Sequence, residues 1–123
     1  MGPTDWLDQI DVIVSSCDEN GITTYMNQKG NKVFAGSGGY ELIGKTMVDC
    51  HPEGAVREKF LTLLKSQKFN CYTIEIKGKK KLVYQTPLFK DGVFVGYNEM
   101  ILSIPETMPH FVRGSKNAQG EQG

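Results

Sequence analysis

The residues with the most chemical potential lie in one short segment, Asp49-Cys50-His51-Pro52-Glu53. A thiol beside an imidazole suggests metal binding or nucleophilic catalysis, because both groups are common in such sites. Adjacent residues generally point in different directions, however, and no third ligand or orienting carboxylate is spaced for either task. Asp49 and Glu53 are better suited to stabilise a helix N-terminus, where the helix dipole favours negative charge. We therefore expect no metal ion here and interpret Cys50 as a small packed residue.

Two further patterns suggest chemistry at first sight. Cys17, Cys50 and Cys71 are odd in number and widely spread, which is typical of reduced thiols rather than of a disulfide framework. The glycine cluster at residues 36–39 resembles a phosphate cradle but lacks the Lys-Ser or Lys-Thr of a P-loop and has no parallel βαβ unit around it. We interpret it as a flexible loop.

Composition narrows the classes of partner. The 123 residues carry 14 Lys plus Arg and 14 Asp plus Glu, so no net charge favours nucleic acid or an anionic membrane. The basic run at residues 77–81 has the spacing of a solvated turn between two strands. No stretch has the length of a membrane span or the pattern of a signal peptide. We expect a cytoplasmic location, without nucleic acid or membrane partners.

The elements that must position any site follow from periodicity. Thr4 is a candidate N-cap for a short helix at residues 5–9. The β-branched run Val12-Ile13-Val14 within residues 11–17, the turn Asp18-Glu19-Asn20-Gly21 and a second run at 22–26 predict a β-hairpin. Glycines then limit residues 27–44 to short helical pieces, at 32–35 and 40–43. After Pro52, apolar residues at helical spacing predict an amphipathic helix over residues 53–67.

The remainder of the domain is predicted to be β-structure. Segments 70–77, 80–89 and 93–104 are joined by short turns and should pair antiparallel. The last segment has apolar residues on both faces, which predicts a central strand whose second face is covered. Residues 1–10 would then form a helical cap, residues 11–104 the domain, and residues 105–123 an extension that is flexible from about residue 114.

This order of elements resembles the PAS family, as do three local motifs. Asp18-Glu19-Asn20-Gly21-Ile22 with Tyr25-Met26-Asn27 is similar to the first hairpin of the family, and residues 39–45 are similar to its "ELLGK" segment. Asp91-Gly92 with Gly96 is similar to its last hairpin. The segment 49–53, with 84–87 and 106–111, also resembles a group of small bacterial PAS sensors. The resemblance implies an α+β fold: a five-stranded antiparallel sheet flanked on one face by short helices and one longer helix.

The family's cofactors are tested against this sequence residue by residue. Covalent flavin binding needs a cysteine three residues after the glycine matched by Gly44, where this chain has Met47, so covalent flavin is disfavoured. Haem sensors use a histidine on the longer helix, at the position matched by Lys59. His51 precedes that helix and remains a candidate haem ligand or polar contact by another route. The cofactor stays unknown; His110 is interpreted as an exposed terminal residue.

The resemblance also implies a hollow between the inner sheet face and the helices, for which a filled core is the alternative. Its predicted lining is apolar and aromatic: Phe34, Tyr40, Leu42, Ile43, Met47, Phe60, Leu64, Tyr72, Ile74, Tyr84 and Tyr97. The hydroxyls of three of these tyrosines could orient a small ligand.

The function implied is a non-catalytic sensory, ligand-binding or protein-interaction module in signal transduction. Two alternatives remain: a haem sensor using His51, and a small enzyme using Glu75 or Glu99 as a pocket acid. A signalling protein is an expected partner. We also expect a homodimer in which Trp6, Leu7 and Ile10 help cover the outer sheet face, with a monomer whose helix folds back on its own sheet as the alternative.

Overall fold

The computed structural model describes residues 2–46 and 55–114, and for Ala55 and Val56 the backbone only. It contains two α-helices and five strands within these ranges: β1 (Ile13–Asp18), β2 (Thr23–Met26), α1 (Gln28–Val33), α2 (Ala55–Ser66), β3 (Asn70–Ile76), β4 (Lys79–Lys90) and β5 (Val93–Ser103). Short 3-10 helices cover Asp5–Asp8, Ala35–Ser37 and Gly39–Leu42. The predicted α+β class and element order are confirmed.

The five strands form one antiparallel sheet in the order β2-β1-β5-β4-β3. The last strand of the sequence is therefore central, as its two apolar faces predicted. Both predicted turns after β3 are two-residue turns with positive φ: Lys77 and Gly78 at 52° and 77°, and Asp91 and Gly92 at 51° and 80°. Such turns match the twist of the paired strands and fix their register.

One side chain stabilises the turn of the first hairpin. The Asp18 carboxylate accepts hydrogen bonds from the backbone N–H groups of Asn20 and Ile22, both at 2.9 Å. Gly21 completes the turn with φ at 81°, a conformation that glycine adopts without steric cost. The predicted hairpin is confirmed, and an aspartate at its start is the reason for its tightness.

The N-terminal segment differs from its prediction. It is one turn of 3-10 helix, Asp5–Asp8, and the Thr4 side chain makes no capping hydrogen bond. The segment is held instead through its backbone, because the Leu7 carbonyl accepts a hydrogen bond from Nδ2 of Asn27 at 2.8 Å. The backbone N–H of Gln28 also donates to the Asp8 carboxylate at 2.8 Å.

The beginning of α1 packs closely against the sheet. Asn27 caps this helix by accepting a hydrogen bond from the Gly30 N–H, and its side chain is fully buried. Gly30 lets the helix approach the sheet closely, because a Cβ there would lie 2.7 Å from Met26 and 3.5 Å from Ile13. The helix thus covers the β1–β2 end of the sheet.

The opposite, outer face of the sheet carries a band of partly exposed apolar side chains. Tyr84 and Leu88 of β4 lie there, 37% and 36% exposed. Phe69 packs edge-on against Tyr84, with ring centroids 4.7 Å apart. Within residues 2–46 and 55–114, no helix combines the length and apolar character needed to cross a bilayer.

Candidate functional site

A cavity of about 360 Å³ lies between the inner face of the sheet and the helices. Its apolar wall comes from β2, the short helical segments and α2: Met26, Phe34, Leu42, Phe60 and Leu63. Its polar wall comes mainly from the sheet: Ser15, Cys17, Thr23, Gln85, Tyr97 and Glu99. An apolar enclosure with few polar groups at fixed places is the usual form of a small-molecule pocket.

Three residues of the polar wall belong to a row that crosses four strands and ends at Asn70, outside the lining. Antiparallel pairing places Ser15 of β1 opposite Glu99 of β5, Glu99 opposite Gln85 of β4, and Gln85 opposite Asn70 of β3. Residues in register on one face of a sheet lie close enough for their side chains to touch. We call these four residues the polar row.

Two hydrogen bonds link three members of the polar row. Nδ2 of Asn70 donates to Oε1 of Gln85 at 2.8 Å, and Nε2 of Gln85 donates to Oε2 of Glu99 at 2.6 Å. The second bond has a charged acceptor and is correspondingly short. Because the Gln85 oxygen is used by Asn70, its amide nitrogen is directed at Glu99.

Together with burial, the charge of Glu99 raises the pKa of two neighbouring groups, Cys17 and Tyr72. Burial raises the pKa of the Cys17 thiol, and the charges of Asp18 and Glu99 raise it further against a hydrogen bond with the Tyr97 backbone. The pKa of Tyr72 is also raised, first by burial and then by Glu99, while a hydrogen bond with Gln85 opposes the change. Both groups are therefore neutral at pH 7, beside one carboxylate.

Tyr97 uses its hydroxyl for a structural task. The hydroxyl oxygen lies 2.8 Å from the Leu63 carbonyl and 2.9 Å from the Lys68 carbonyl, at the C-terminal end of α2. The Leu63 carbonyl also accepts from the Gln67 N–H at 3.2 Å and from the Ser66 hydroxyl at 2.8 Å, so Tyr97 adds a link to a helix end that is already hydrogen-bonded. Tyr97, only 4% exposed, thus fastens α2 over the central strand and sets the depth of the cavity.

The structure brings four of the predicted pocket residues to this cavity: Phe34, Leu42, Phe60 and Tyr97. Tyr40 and Ile43 lie outside the lining, 45% and 41% exposed. Leu64, Tyr72 and Ile74 also lie outside it, although Tyr72 and Ile74 share the inner face of the edge strand β3. Met47 lies outside the described residues.

Tyr84 is placed on the outer face, away from the cavity. It stands in register with Met100 and with Cys71, whereas its neighbour Gln85 points inward. The phase of the strand is thus opposite to the one that hydrophobicity suggests: the tyrosine is 37% exposed and the glutamine 9%. The tyrosine ring packs edge-on against Phe69, and the inner glutamine is hydrogen-bonded, so both side chains have partners.

Most of the polar wall lies outside the predicted pocket. Ser15, Cys17 and Gln85 are not among the predicted pocket residues, and Glu99 is predicted only as an acid for an enzyme. The available signal was polar residues at alternate positions of otherwise apolar strands, since such residues face the core only when they have partners there. The other acid considered, Glu75, is exposed on β3.

Two other predicted sites have different outcomes. Cys50 and His51, with the haem contact predicted for His51, lie outside the described residues, as do Asp49 and Glu53. His110 is exposed. Over residues 2–46 and 55–114, no three His, Cys, Asp or Glu side chains are grouped as metal ligands.

The residues predicted at a dimer interface lie beside β2 and α1. Trp6 is 52% exposed, while Leu7 and Ile10 are half-buried. The hydrogen bond from Asn27 to the Leu7 carbonyl ties this segment to its own domain.

Comparison with solved structures identifies the fold. The PAS domain of Bordetella pertussis BvgS matches with a TM-score of 0.60 and 14% identity, over 81% of this chain and 82% of that one. A sensory box sensor histidine kinase from Vibrio cholerae matches with a TM-score of 0.62 and 12% identity, over 85% and 90%. The Vibrio cholerae Aer2 receptor, described as a dual PAS-heme oxygen sensor, matches with a TM-score of 0.54 and 14% identity, over 76% and 95%.

No protein-family model and no curated protein matches the chain. The structural matches cover most of both partners. The chain therefore has the fold of a PAS domain.

Proposed function

We propose that this chain is a non-catalytic sensory module that binds a small organic molecule in the inner-face cavity. The observation that carries the proposal is the cavity itself: about 360 Å³, apolar on the helix side and polar along the sheet. Small-molecule sites have volumes of roughly 300 to 1,000 Å³ and this division of polarity. The fold is shared with domains of sensor proteins, which supports a place in signal transduction.

Absence of catalysis is part of the proposal. The acid in the cavity, Glu99, accepts a hydrogen bond from the neutral amide of Gln85, and no histidine or lysine belongs to the described lining. A carboxylate can act as a general base only when the substrate proton is positioned against it, and the Gln85 amide already occupies Oε2 of Glu99. A turnover that disappears in Glu99→Gln would assign an enzyme instead.

The test is to look for a retained molecule in the purified protein by native mass spectrometry. A matched pair of variants locates it: Ser15→Leu fills the cavity, and Thr86→Leu adds the same side chain to β4 on the outer face. We expect the molecule to be lost from the first variant and kept in the second. If no molecule is retained and no compound of a metabolite panel changes the melting temperature, the alternative of a protein-interaction module with a filled core is favoured.

The visible absorption spectrum separates this proposal from a haem sensor. A Soret band that is lost when His51 is replaced by alanine would assign haem to this chain, and with it a likeness in ligand to the PAS-heme sensor Aer2. We expect no such band.

The proposal extends to assembly and location. A second copy would cover the outer face with Trp6, Leu7 and Ile10; exposure of Trp6 and of the Tyr84–Leu88 band supports this arrangement. Large aromatic side chains commonly anchor such interfaces. Light scattering should give a dimer for the wild type and a smaller mass for Trp6→Ala; a monomeric wild type would exclude the dimer. Free thiols at Cys17 and Cys71 support a cytoplasmic location.

A further inference from the structure

Several polar groups of the cavity wall are already bonded within the protein. The Gln85 amide accepts from Asn70 at 2.8 Å and donates to Glu99 at 2.6 Å. Glu99 makes a further interaction besides this hydrogen bond. The Tyr97 hydroxyl binds two backbone carbonyls at the end of α2. A ligand that took over one of these groups would have to compete with a bond of the fold itself.

The hydroxyls of Ser15 and Thr23 are different, because a hydroxyl can serve a ligand as well as the protein. Each combines one donor with two acceptor positions and rotates to suit its partners. Both residues line the cavity from the first hairpin, where Ser15 is in register with Met26 and Thr23 with Cys17. The sheet therefore presents two adaptable hydrogen-bonding groups beside an apolar surface.

The described wall offers no permanent positive charge to an anion. Lysine and arginine are absent from the described lining, and residues 47–54, which the structure does not describe, contain neither. A charged group that enters an apolar enclosure loses its hydration at a high cost unless an opposite charge replaces it. An anion would meet the Glu99 carboxylate without such a replacement from these residues. A cation would compete with the interactions that Glu99 already makes.

We propose that the ligand of this cavity is an uncharged molecule with an apolar body and a hydroxyl or carbonyl group at one end. Its polar end would bind the hydroxyls of Ser15 and Thr23. Its body would lie against the apolar wall on the helix side of the cavity. This inference rests on the proposed ligand-binding function and names the chemical class of the ligand.

Three probes with the same carbon skeleton test the charge of the ligand: neutral 4-phenylbutanol, cationic 4-phenylbutylamine and anionic 4-phenylbutyrate. Each is titrated into the wild-type protein at pH 7, and its dissociation constant is obtained from the rise in melting temperature. We expect the alcohol to bind at least about tenfold more tightly than either ion, because neither ion regains its lost hydration in the cavity.

The Cys17 thiol shows where the probe binds. Methyl methanethiosulfonate converts a thiolate to a mixed disulfide and releases methanesulfinate. Labelling is followed by peptide mass spectrometry at Cys17, on the cavity wall, and at Cys71, which is exposed and serves as the reference. We expect 4-phenylbutanol to protect Cys17 and to leave the labelling of Cys71 unchanged.

Two variants test the contact with the hydroxyls, and butylbenzene is the reference compound because it has no polar end. Ser15→Ala and Thr23→Val should each weaken binding of the alcohol by roughly threefold to tenfold, the value of one hydrogen bond, and that of butylbenzene by less than about twofold. Ser103→Ala makes the same change as Ser15→Ala at the exposed end of β5 and should alter neither affinity.

The outcomes separate this inference from the proposed function. Equal or tighter binding of the amine or the acid overturns the uncharged ligand and leaves the binding cavity standing. The same holds if both variants bind the alcohol as the wild type does, or lose affinity for the alcohol and for butylbenzene alike. If no probe, up to its solubility limit, raises the melting temperature or protects Cys17, both proposals are wrong.

Discussion

The two ends of the sheet are held very differently. At the β1–β2 end, Ile13, Val14 and Met26 are at most 7% exposed, and Asn27 is fully buried. At the other end, every residue of β3 except the half-buried Ile74 is exposed, including Tyr72 at 46%. β3 is an edge strand and pairs only with β4. One wall of the cavity is therefore firmly fixed, while the polar row continues toward an end with little burial.

Because of this difference, the polar row connects a well-packed part of the sheet with a weakly packed part. It starts at Ser15 on the firm side and ends at Asn70 on the weakly packed strand. Regions with few buried apolar contacts open at low free-energy cost, and moving elements of sensors are drawn from such regions. A ligand in the cavity would thus contact a row of side chains that connects both ends of the sheet. The variant with the largest expected effect lies at the well-buried β1–β2 end of the sheet, which we call the firm end.

Asn27→Ala should have the largest effect on stability. The side chain accepts from the N–H groups of Val14 and Gly30, both at 3.0 Å, and donates to the carbonyls of Leu7 and Val12, both at 2.8 Å. Alanine would leave buried backbone groups unpaired, at a cost of about 3 kcal/mol or more. The melting temperature should fall by roughly 10 °C or more.

The matched control is Asn70→Ala at the exposed β3 end of the sheet, which we call the weak end. Asn70 is exposed and donates one hydrogen bond, to Gln85, so its removal should cost under about 1 kcal/mol. Both variants can be measured by urea unfolding with circular dichroism. Equal losses in the two variants would mean that the ends of the sheet are equally firm.

Most of this architecture could be predicted from the sequence because its signals are local. Alternating apolar residues and the two-residue turns at Lys77-Gly78 and Asp91-Gly92 specify the β3–β5 meander. Asp18 and Gly21 specify the first hairpin. The central role of Asn27 could not be predicted, because its partners Leu7 and Val12 lie 20 and 15 residues away.

Tyr97→Phe should have an intermediate effect, localised at the helix end. The variant keeps the ring in the core but removes the hydroxyl that binds the Leu63 and Lys68 carbonyls. The free energy of unfolding should fall by about 1 kcal/mol, the usual contribution of one buried hydrogen bond. Hydrogen–deuterium exchange should become faster near residues 63–68 and stay unchanged in β1.

The control for that variant is Tyr84→Phe on the outer face, expected to change stability by less than about 0.5 kcal/mol. Faster exchange throughout the sheet of the Tyr97 variant would show that the hydroxyl stabilises the whole domain rather than one helix end.

The candidate site was only partly predictable, since register and strand phase decide it. Gln85 and Glu99 are 14 residues apart, and only their pairing on β4 and β5 brings their side chains to 2.6 Å. Tyr84 had the hydrophobicity of an inner residue, yet Gln85 faces the core because two hydrogen bonds satisfy its amide there. A pattern of hydrophobicity cannot distinguish these phases when the inner face is polar.

The smallest predicted effect concerns the ion pair at the firm end, between Asp11 and Lys29. Nζ of Lys29 lies 2.7 Å from the Asp11 carboxylate, whose side chain is 83% exposed. The hydrogen bond and the charge of Lys29 lower the pKa of Asp11 below its usual value. The ionised pair therefore stabilises the fold above the pKa of the unfolded state, and this contribution is lost as the pH falls through the lowered pKa. Exposed pairs contribute little and are screened by salt.

Asp11→Asn should thus lower the melting temperature slightly at pH 7 in low salt, with no difference in 1 M NaCl or at the acidic end of the titration. Glu19→Gln, which removes an exposed charge from the hairpin turn, serves as the control. A salt-independent loss comparable to that of Asn27→Ala would show that surface charge, rather than the buried asparagine, holds this end of the sheet.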